Sequence, residues 1–431
     1  MFSQAIKRLC SRMINKLIFS RCRGTVLFSA LITCSVMATL LYTVRSLIQP
    51  RESISAKTAL KYQTEKSDLK LKPAEKRSSL SLRVSTEDNK RWNVIILTHM
   101  SSGSTLTGNL FNLHPDVFYL YEPLHNLRRK VYKDEWNPFD DETNRAYTKD
   151  FFDLFRDCLG CGFLKNNTLY RSIPPFARGK KHFTYWRYST PEFTKEAVRD
   201  ACRGKKITVA KVMQTRLPRE IGIKELERVC RADPQQFDCL IIHLVRDPRA
   251  VISSLLRRKF FAQGPEKTLF YSKNLTSEGL SLLMRNVQLL CSQVTNNLNY
   301  VRDNWATWFQ GRYKLVRYED IAGSAMNAAR VMYDFVGLPM TNSIYQWIAE
   351  GRIPTEIEFK IKAFMISEDN ENRISYWRLV RDPSLVSLVE EACAPLMKEM
   401  GYIFINGSED HQHDLNVTLI SKEIPILKDL R

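Results

Sequence analysis

An α/β domain with a central parallel sheet, preceded by a single transmembrane helix, is what this sequence predicts. An uncharged apolar stretch, Thr25–Val44, lies near the start, and short apolar runs recur from Trp92 onward. Helical periods separate those runs, the alternation expected of strands joined by helices. The chain of 431 residues has room for one large domain or two ordinary ones. Its 44% hydrophobic and 11% aromatic content excludes a wholly disordered or collagen-like chain.

Thr25–Val44 (TVLFSALITCSVMATLLYTV) can cross a hydrocarbon core of about 30 Å at about 1.5 Å per residue. Lys7, Arg8, Arg12, Lys16, Arg21 and Arg23 precede it, with no acidic residue among them. This bias keeps residues 1–24 in the cytosol and sends the rest across the membrane. The run is long for a cleaved signal and no clean small-x-small site follows, so the expectation is an uncleaved type II anchor over 25–44. Residues 45–90 are rich in Lys, Glu and Ser, with Tyr62 the one aromatic, and read as a flexible stem.

The six basic residues before the anchor, with Arg45, account for seven of the +19 formal charge, which leaves +12 on residues 46–431. Beyond the membrane an acidic polysaccharide or a nucleotide-type anion suits that excess better than nucleic acid. Sequons at Asn166, Asn274, Asn406 and Asn416 fit a secretory lumen. So do seven cysteines: Cys158, Cys161, Cys202, Cys230, Cys239, Cys291 and Cys393. Seven is odd, so at least one is free or pairs between chains, and the connectivity stays open. Cys158-Leu-Gly-Cys161 is not repeated, so no zinc module and no metal site are expected.

The apolar runs Trp92–Thr98, Ile207–Val212, Cys239–Val245 and Tyr313–Val316 read as buried strands, and a short run, Val117–Leu120, precedes Glu122. Helical patterns cover 248–258, 281–304, 325–336 and 385–400, the last closed by Gly401. Ligands in such sheets bind beyond the carboxyl ends of the strands.

After the first run comes Thr98-His-Met-Ser-Ser-Gly-Ser-Thr-Leu-Thr-Gly-Asn-Leu-Phe, a small-residue loop entering a helix. Leu106, Leu110 and Leu113 give that helix its buried face. Gly103, Ser104 and Thr105 stand at its N-terminus, where free N–H groups and the helix dipole suit a phosphate or phosphosulfate. A Walker A signature is absent, which argues against an ATP-dependent kinase. A second motif, His243-Leu-Val-Arg-Asp-Pro-Arg-Ala-Val-Ile-Ser-Ser, follows another strand. Asp247 caps the next helix, Pro248 occupies its first turn, and Arg246 and Ser254 offer a second anion site. Two anion sites on one sheet suggest a nucleotide with phosphates at both ends.

LTHMSSGSTLTGNLFN, YLYEPLHNL, HLVRDPRAVISS, GRYKLVRYEDI and Tyr376-Trp377-Arg378 together resemble the Golgi carbohydrate 6-O-sulfotransferases acting on galactose, N-acetylglucosamine or N-acetylgalactosamine. The resemblance covers about residues 91–405 and leaves 406–431 as a C-terminal tail. It implies a P-loop-like sulfotransferase fold in the Golgi lumen that binds 3′-phosphoadenylyl sulfate (PAPS) and a glycan acceptor, without a metal. His99, Met100, Ser101, Ser102, Gly103, Ser104 and Thr105 would hold the 5′-phosphosulfate. Arg246, Asp247, Pro248, Arg249 and Ser254 would form the 3′-phosphate site, with Arg246 and Ser254 touching the phosphate. Glu122, in Tyr121-Glu-Pro, would be the base for the sugar hydroxyl, with His99 and His125 as alternatives.

The chain departs from the family where the usual Thr-x-Arg-[Ser/Thr]-Gly-Ser-Ser loop places Ser101 at the arginine, a cation for the leaving group. Lys211 is the expected substitute, ahead of Arg128, Arg129 and His99. Leu255, where arginine is common, is a lesser departure. Arg317 and Glu319 are expected to form an ion pair, though Arg317 could face the cofactor. Trp377 and Arg378 could clamp the adenine or belong to the core.

Overall fold

A computed structural model describes residues 91–132, 140–165, 170, 194–218, 222–259, 276–350 and 369–430. The anchor Thr25–Val44, the stem, Asn166 and Asn274 lie outside these residues. Among the described residues no helix is long and apolar enough to cross a membrane.

Five strands form one sheet: β1 (Arg91–Thr98), β2 (Val117–Tyr121), β3 (Ile207–Met213), β4 (Phe237–Val245) and β5 (Tyr313–Arg317). Their order is β2-β3-β1-β4-β5, and each neighbouring pair is parallel. The main helices are α1 (Ser104–Asn112), α2 (Asp141–Leu159), α3 (Lys195–Arg203), α4 (Gly222–Arg231), α5 (Pro248–Arg258) and α6 (Ser277–Asp303). They continue with α7 (Tyr318–Gly323), α8 (Ala325–Val336), α9 (Asn342–Glu350), α10 (Asp369–Val380), α11 (Pro383–Ala392) and α12 (Ala394–Met400).

Successive side chains of a strand point to opposite faces, so the buried sheet feeds two cores. Ile95 and Leu97 of β1 join Phe151 of α2, Leu226 of α4 and Leu290 of α6. Val94 and Ile96 join Leu110 of α1, Met332 of α8 and Trp347 of α9. This double coverage explains why the strands read as continuous apolar runs.

Helices 248–258 and 325–336 run as the sequence patterns indicate. The pattern over 385–400 is two helices rather than one. Pro395, at the start of α12, lacks the N–H that a continuous helix needs, and Cys393 at the break is bonded to Cys291. Gly401 closes α12 at φ +73°. The segment set apart as a tail packs onto the domain: Ile424, Ile426 and Leu430 enter the first core, and Ile420 bridges Tyr402. Cys161–Cys202 and Cys230–Cys239 form two further disulfides, and Cys158 remains a buried free thiol.

The chain leaves β1 toward β3 and β2, and leaves β4 toward β5, so connections diverge between β1 and β4. A crevice opens at such a switch point, beyond the carboxyl ends of the strands.

Candidate active site

Two loops meet at that crevice. After β1, residues 99–103 turn into α1, with Ser101 at φ +66° and Gly103 at φ +81°. A Cβ on Gly103 would overlap the Tyr318 ring, so glycine serves both the left-handed backbone and the close approach. No side chain caps α1, whose first-turn N–H groups therefore have no partner within the helix. Ser102 and Ser104 are buried around this turn, while Met100 and Thr105 are half-buried.

After β4 the chain turns at Arg246. Its Nη1 donates to the Ser101 carbonyl at 2.7 Å and its Nη2 to the Arg373 carbonyl at 2.8 Å. The guanidinium lies 4.2 Å from the centre of the Tyr318 ring. One tyrosine ring thus supports both the Gly103 backbone and the Arg246 cation. Arg246 Nε is buried with no hydrogen-bond partner among the described residues. Ser254 is half-buried on the face of α5 that continues from Asp247.

The rest of the motif is architectural. The Asp247 carboxylate accepts from Arg249 N and caps α5. Arg249, expected at the nucleotide, instead points into the core. Its guanidinium pairs with Asp247 at 2.8 Å and Glu390 at 2.7 Å and lies over Trp377 at 4.4 Å. Pro248 supplies the fixed φ of the first turn. A buried cation is tolerable only with such pairing, and Arg249 has two buried carboxylates for it.

Beyond β2, Glu122 has φ +52°. Its carboxylate takes Lys211 Nζ at 2.8 Å and also pairs with Arg216 Nη1. Lys211 sits 3.6 Å from the centre of the Tyr121 ring and is 1% exposed. Burial alone would raise the Glu122 pKa, but the two cations hold it far below the usual carboxylate range. Lys211 therefore contacts Glu122, whereas the cation that contacts Ser101 is Arg246. Arg216 was not legible as a site residue: it arrives through the turn Gln214–Arg216 after β3, without a motif.

His99 is buried at the end of β1, its Nε2 has no partner among the described residues, and burial lowers its pKa to about 3. His125 is half-buried, and its N–H donates to the Glu122 carbonyl. Arg128 is buried 5.0 Å from the Tyr147 ring centre, and the Arg129 side chain lies outside the described residues.

One expected pairing fails. Arg317 bonds Asp320 rather than Glu319 and reaches the carbonyls of Met400 and Ser421. Glu319 instead accepts from Asp247 N and the Tyr402 hydroxyl, both at 3.0 Å. Of the two readings open for Trp377 and Arg378, the structure takes the core one. Both are buried, and Arg378 donates to the carbonyls of His411, Gln412, Asp414 and Val417, pinning the C-terminal segment. Among the described residues, no group of His, Cys, Asp and Glu could hold a metal ion.

A sequence model of the sulfotransferase family matches residues 93–342, more than half of the chain. The chain belongs to the sulfotransferase family. It is similar to Homo sapiens carbohydrate sulfotransferase 5, with 27% identity over 77% of this chain and 82% of that protein. Similarity to Homo sapiens carbohydrate sulfotransferase 3 is 28% over 72% and 67% of the two chains. For Danio rerio carbohydrate sulfotransferase 1 it is 25% over 79% and 84%. Among solved structures, the sulfotransferase domain from the curacin biosynthetic pathway matches 71% of this chain and 97% of its own, with TM-score 0.40 and 16% identity.

Proposed function

We propose that this chain is a carbohydrate 6-O-sulfotransferase that takes the sulfuryl group of PAPS to the 6-hydroxyl of galactose, N-acetylglucosamine or N-acetylgalactosamine in a glycosaminoglycan or related glycan. Family membership and the carbohydrate sulfotransferases among its relatives support this reading. The observation that carries it is the 2.7 Å bond from Arg246 to the Ser101 carbonyl, which joins an uncapped helix start to a cation.

The residues suit a doubly anionic nucleotide. Gly103 leaves backbone N–H groups open where a Cβ would not fit, and Arg246 keeps a buried donor without a partner among the described residues. The loop His99–Thr105 holds the 5′-phosphosulfate through N–H and hydroxyl donors, and Arg246 with Ser254 holds the 3′-phosphate. PAPS would supply an activated sulfuryl group: the sugar oxygen forms the new S–O bond as the bond to the 5′-phosphate breaks, and 3′,5′-ADP leaves with a charge that a nearby cation stabilises.

Glu122 accepts the proton of the sugar hydroxyl. Its pairing with Lys211 and Arg216 keeps it ionised, so it is always in the accepting form, at the expense of basicity. Lys211, inside β3 and paired with Glu122, also serves as the cation where Ser101 leaves the loop without the family arginine. A rival reading, a member that binds nucleotide or glycan without transfer, is favoured by Ser101 itself. The supporting topology is a cytosolic segment 1–24, an anchor 25–44, a stem 45–90 and a Golgi-luminal domain. Three disulfides fit that oxidising lumen.

Arg246→Ala should weaken PAPS by about 1.5–3 kcal/mol and adenosine 5′-phosphosulfate, which lacks the 3′-phosphate, by less. Equal losses would make Arg246 a loop anchor only. Product analysis with labelled PAPS should place sulfate on sugars bearing a 6-hydroxyl and none on their 6-deoxy analogues. Label on a 6-deoxy sugar would overturn the assigned position.

A further inference from the structure

Beside the nucleotide site runs a seam between α5 and α10. On α5, Arg257 and Arg258 lie three and four residues beyond Ser254, so they extend the Ser254 face by one turn. Both are exposed. On α10, Arg373 and Tyr376 are exposed one turn apart, and Arg381 follows the helix. Three contacts tie the two elements together. Arg246 Nη2 donates to the Arg373 carbonyl at 2.8 Å, Arg381 Nε donates to Ser253 Oγ at 2.8 Å, and the Arg257 guanidinium lies 5.2 Å from the Tyr376 ring centre.

The charges here are of one sign. The cations acting on Arg258 are Arg257, Arg246 and Arg373, and Arg257 acts on Arg381. No carboxylate among the described residues appears in either set. Among exposed arginines elsewhere, Arg228 and Arg231 each pair with a carboxylate. The negative end of α5 favours basic residues in its last turn, which accounts for Arg257 and Arg258 but not for Arg373 or Arg381 on a second element. Tyr376 is 43% exposed in the middle of this row, an aromatic face open to solvent with a guanidinium above it.

We propose that the α5–α10 seam is a docking track for an acceptor glycan that already carries sulfate or carboxylate groups, held by Arg257, Arg258, Arg373 and Arg381 and stacked on Tyr376. This rests on the sulfotransferase reading. It narrows that reading to acidic polysaccharides as preferred acceptors, because a row of guanidinium groups with no carboxylate partner among the described residues gains most from repeated anions. From Arg373 to Arg381 the track extends about 12 Å along α10, longer than one sugar needs, so it suits a polymer. Tyr376 offers the apolar face of each ring a surface while the arginines take its acidic groups.

The test uses the full chain and the double variant Arg257→Ala/Arg258→Ala, with chondroitin sulfate as acidic acceptor and an uncharged lactosamine polymer as neutral one. The variant should raise KM for chondroitin sulfate about 10-fold and flatten its salt dependence, with KM for PAPS and for the neutral polymer unchanged. Arg257→Lys/Arg258→Lys should restore most of the loss. A raised KM for PAPS would assign the arginines to the nucleotide, and an equal rise for the neutral polymer, or no rise at all, would also overturn the track. Retention on immobilised chondroitin sulfate without PAPS reads the seam independently of turnover. If the wild type transfers no sulfate, the enzymatic reading fails, while weaker retention of the alanine variant would still support the track and equal retention would refute it.

Discussion

Glu122 and Glu319 are both buried carboxylates, yet their surroundings push them in opposite directions. Glu122 faces Lys211 and Arg216, which overcome its burial and keep it ionised. Glu319 meets burial and the Asp247 carboxylate, and its pKa rises to about 7 from 4.5. Between pH 4.5 and 7 the folded chain therefore holds a Glu319 proton that the unfolded chain has lost, so stability falls as pH rises through this window. For Glu122 the unfolded chain takes up a proton below pH 4.5 that the folded chain refuses, so stability falls as pH drops. Glu319→Gln should remove roughly 2–3 kcal/mol of pH dependence between pH 4.5 and 7, seen in urea midpoints measured across that range. A slope like that of the wild type would show that Glu319 does not carry this proton. Motifs gave the places of Gly103 and Arg246, because helix-start signals are local. The partner of Arg249 in α11 and the arrival of Arg216 beside Glu122 depend on contacts far apart in sequence, which no local pattern encodes.

Among elements, the turn from β1 into α1 bears most directly on the nucleotide. Ser101 and Gly103 both hold positive φ, and non-glycine residues there cost about 1–3 kcal/mol. Gly103→Ala would add a strained backbone and an overlap with Tyr318. It should lower affinity for 3′,5′-ADP at least about 10-fold, measured by calorimetry, while far-ultraviolet circular dichroism stays that of the folded domain. Undiminished affinity would mean that the turn is not where the phosphate sits. Helix α5 was legible to the residue because Asp247 and Pro248 form a strong start signal. Helix α2 was not, since its apolar stripe begins only at Tyr147 and its first two turns are polar. The break at Cys393 was also hidden, because the apolar period over Val386, Val389, Leu396, Met397 and Met400 runs through it unchanged.

At the scale of the whole molecule, four apolar runs revealed four of the five strands and their parallel character, but neither the short β2 as a strand nor the strand order. The order depends on which strands pair, and with it comes the crevice between β1 and β4. The C-terminal segment read as a tail because the family resemblance ends near residue 405, yet Arg378 and Arg317 bind its carbonyls and draw it onto the domain. Cys291–Cys393 closes the longest loop, spanning 102 residues, and joins α6 to the break between α11 and α12. Removing it with Cys291→Ser should destabilise the domain by about 2–5 kcal/mol, read as a lower thermal midpoint. An unchanged midpoint would mean that the packing of α6 on α11 suffices by itself. The direct test of the central claim is transfer of labelled sulfate from PAPS to chondroitin chains by the wild-type protein. The account predicts incorporation of label, inhibited by 3′,5′-ADP and lost in Lys211→Met. A folded wild type that binds 3′,5′-ADP yet transfers no label to any acidic or neutral glycan would contradict it.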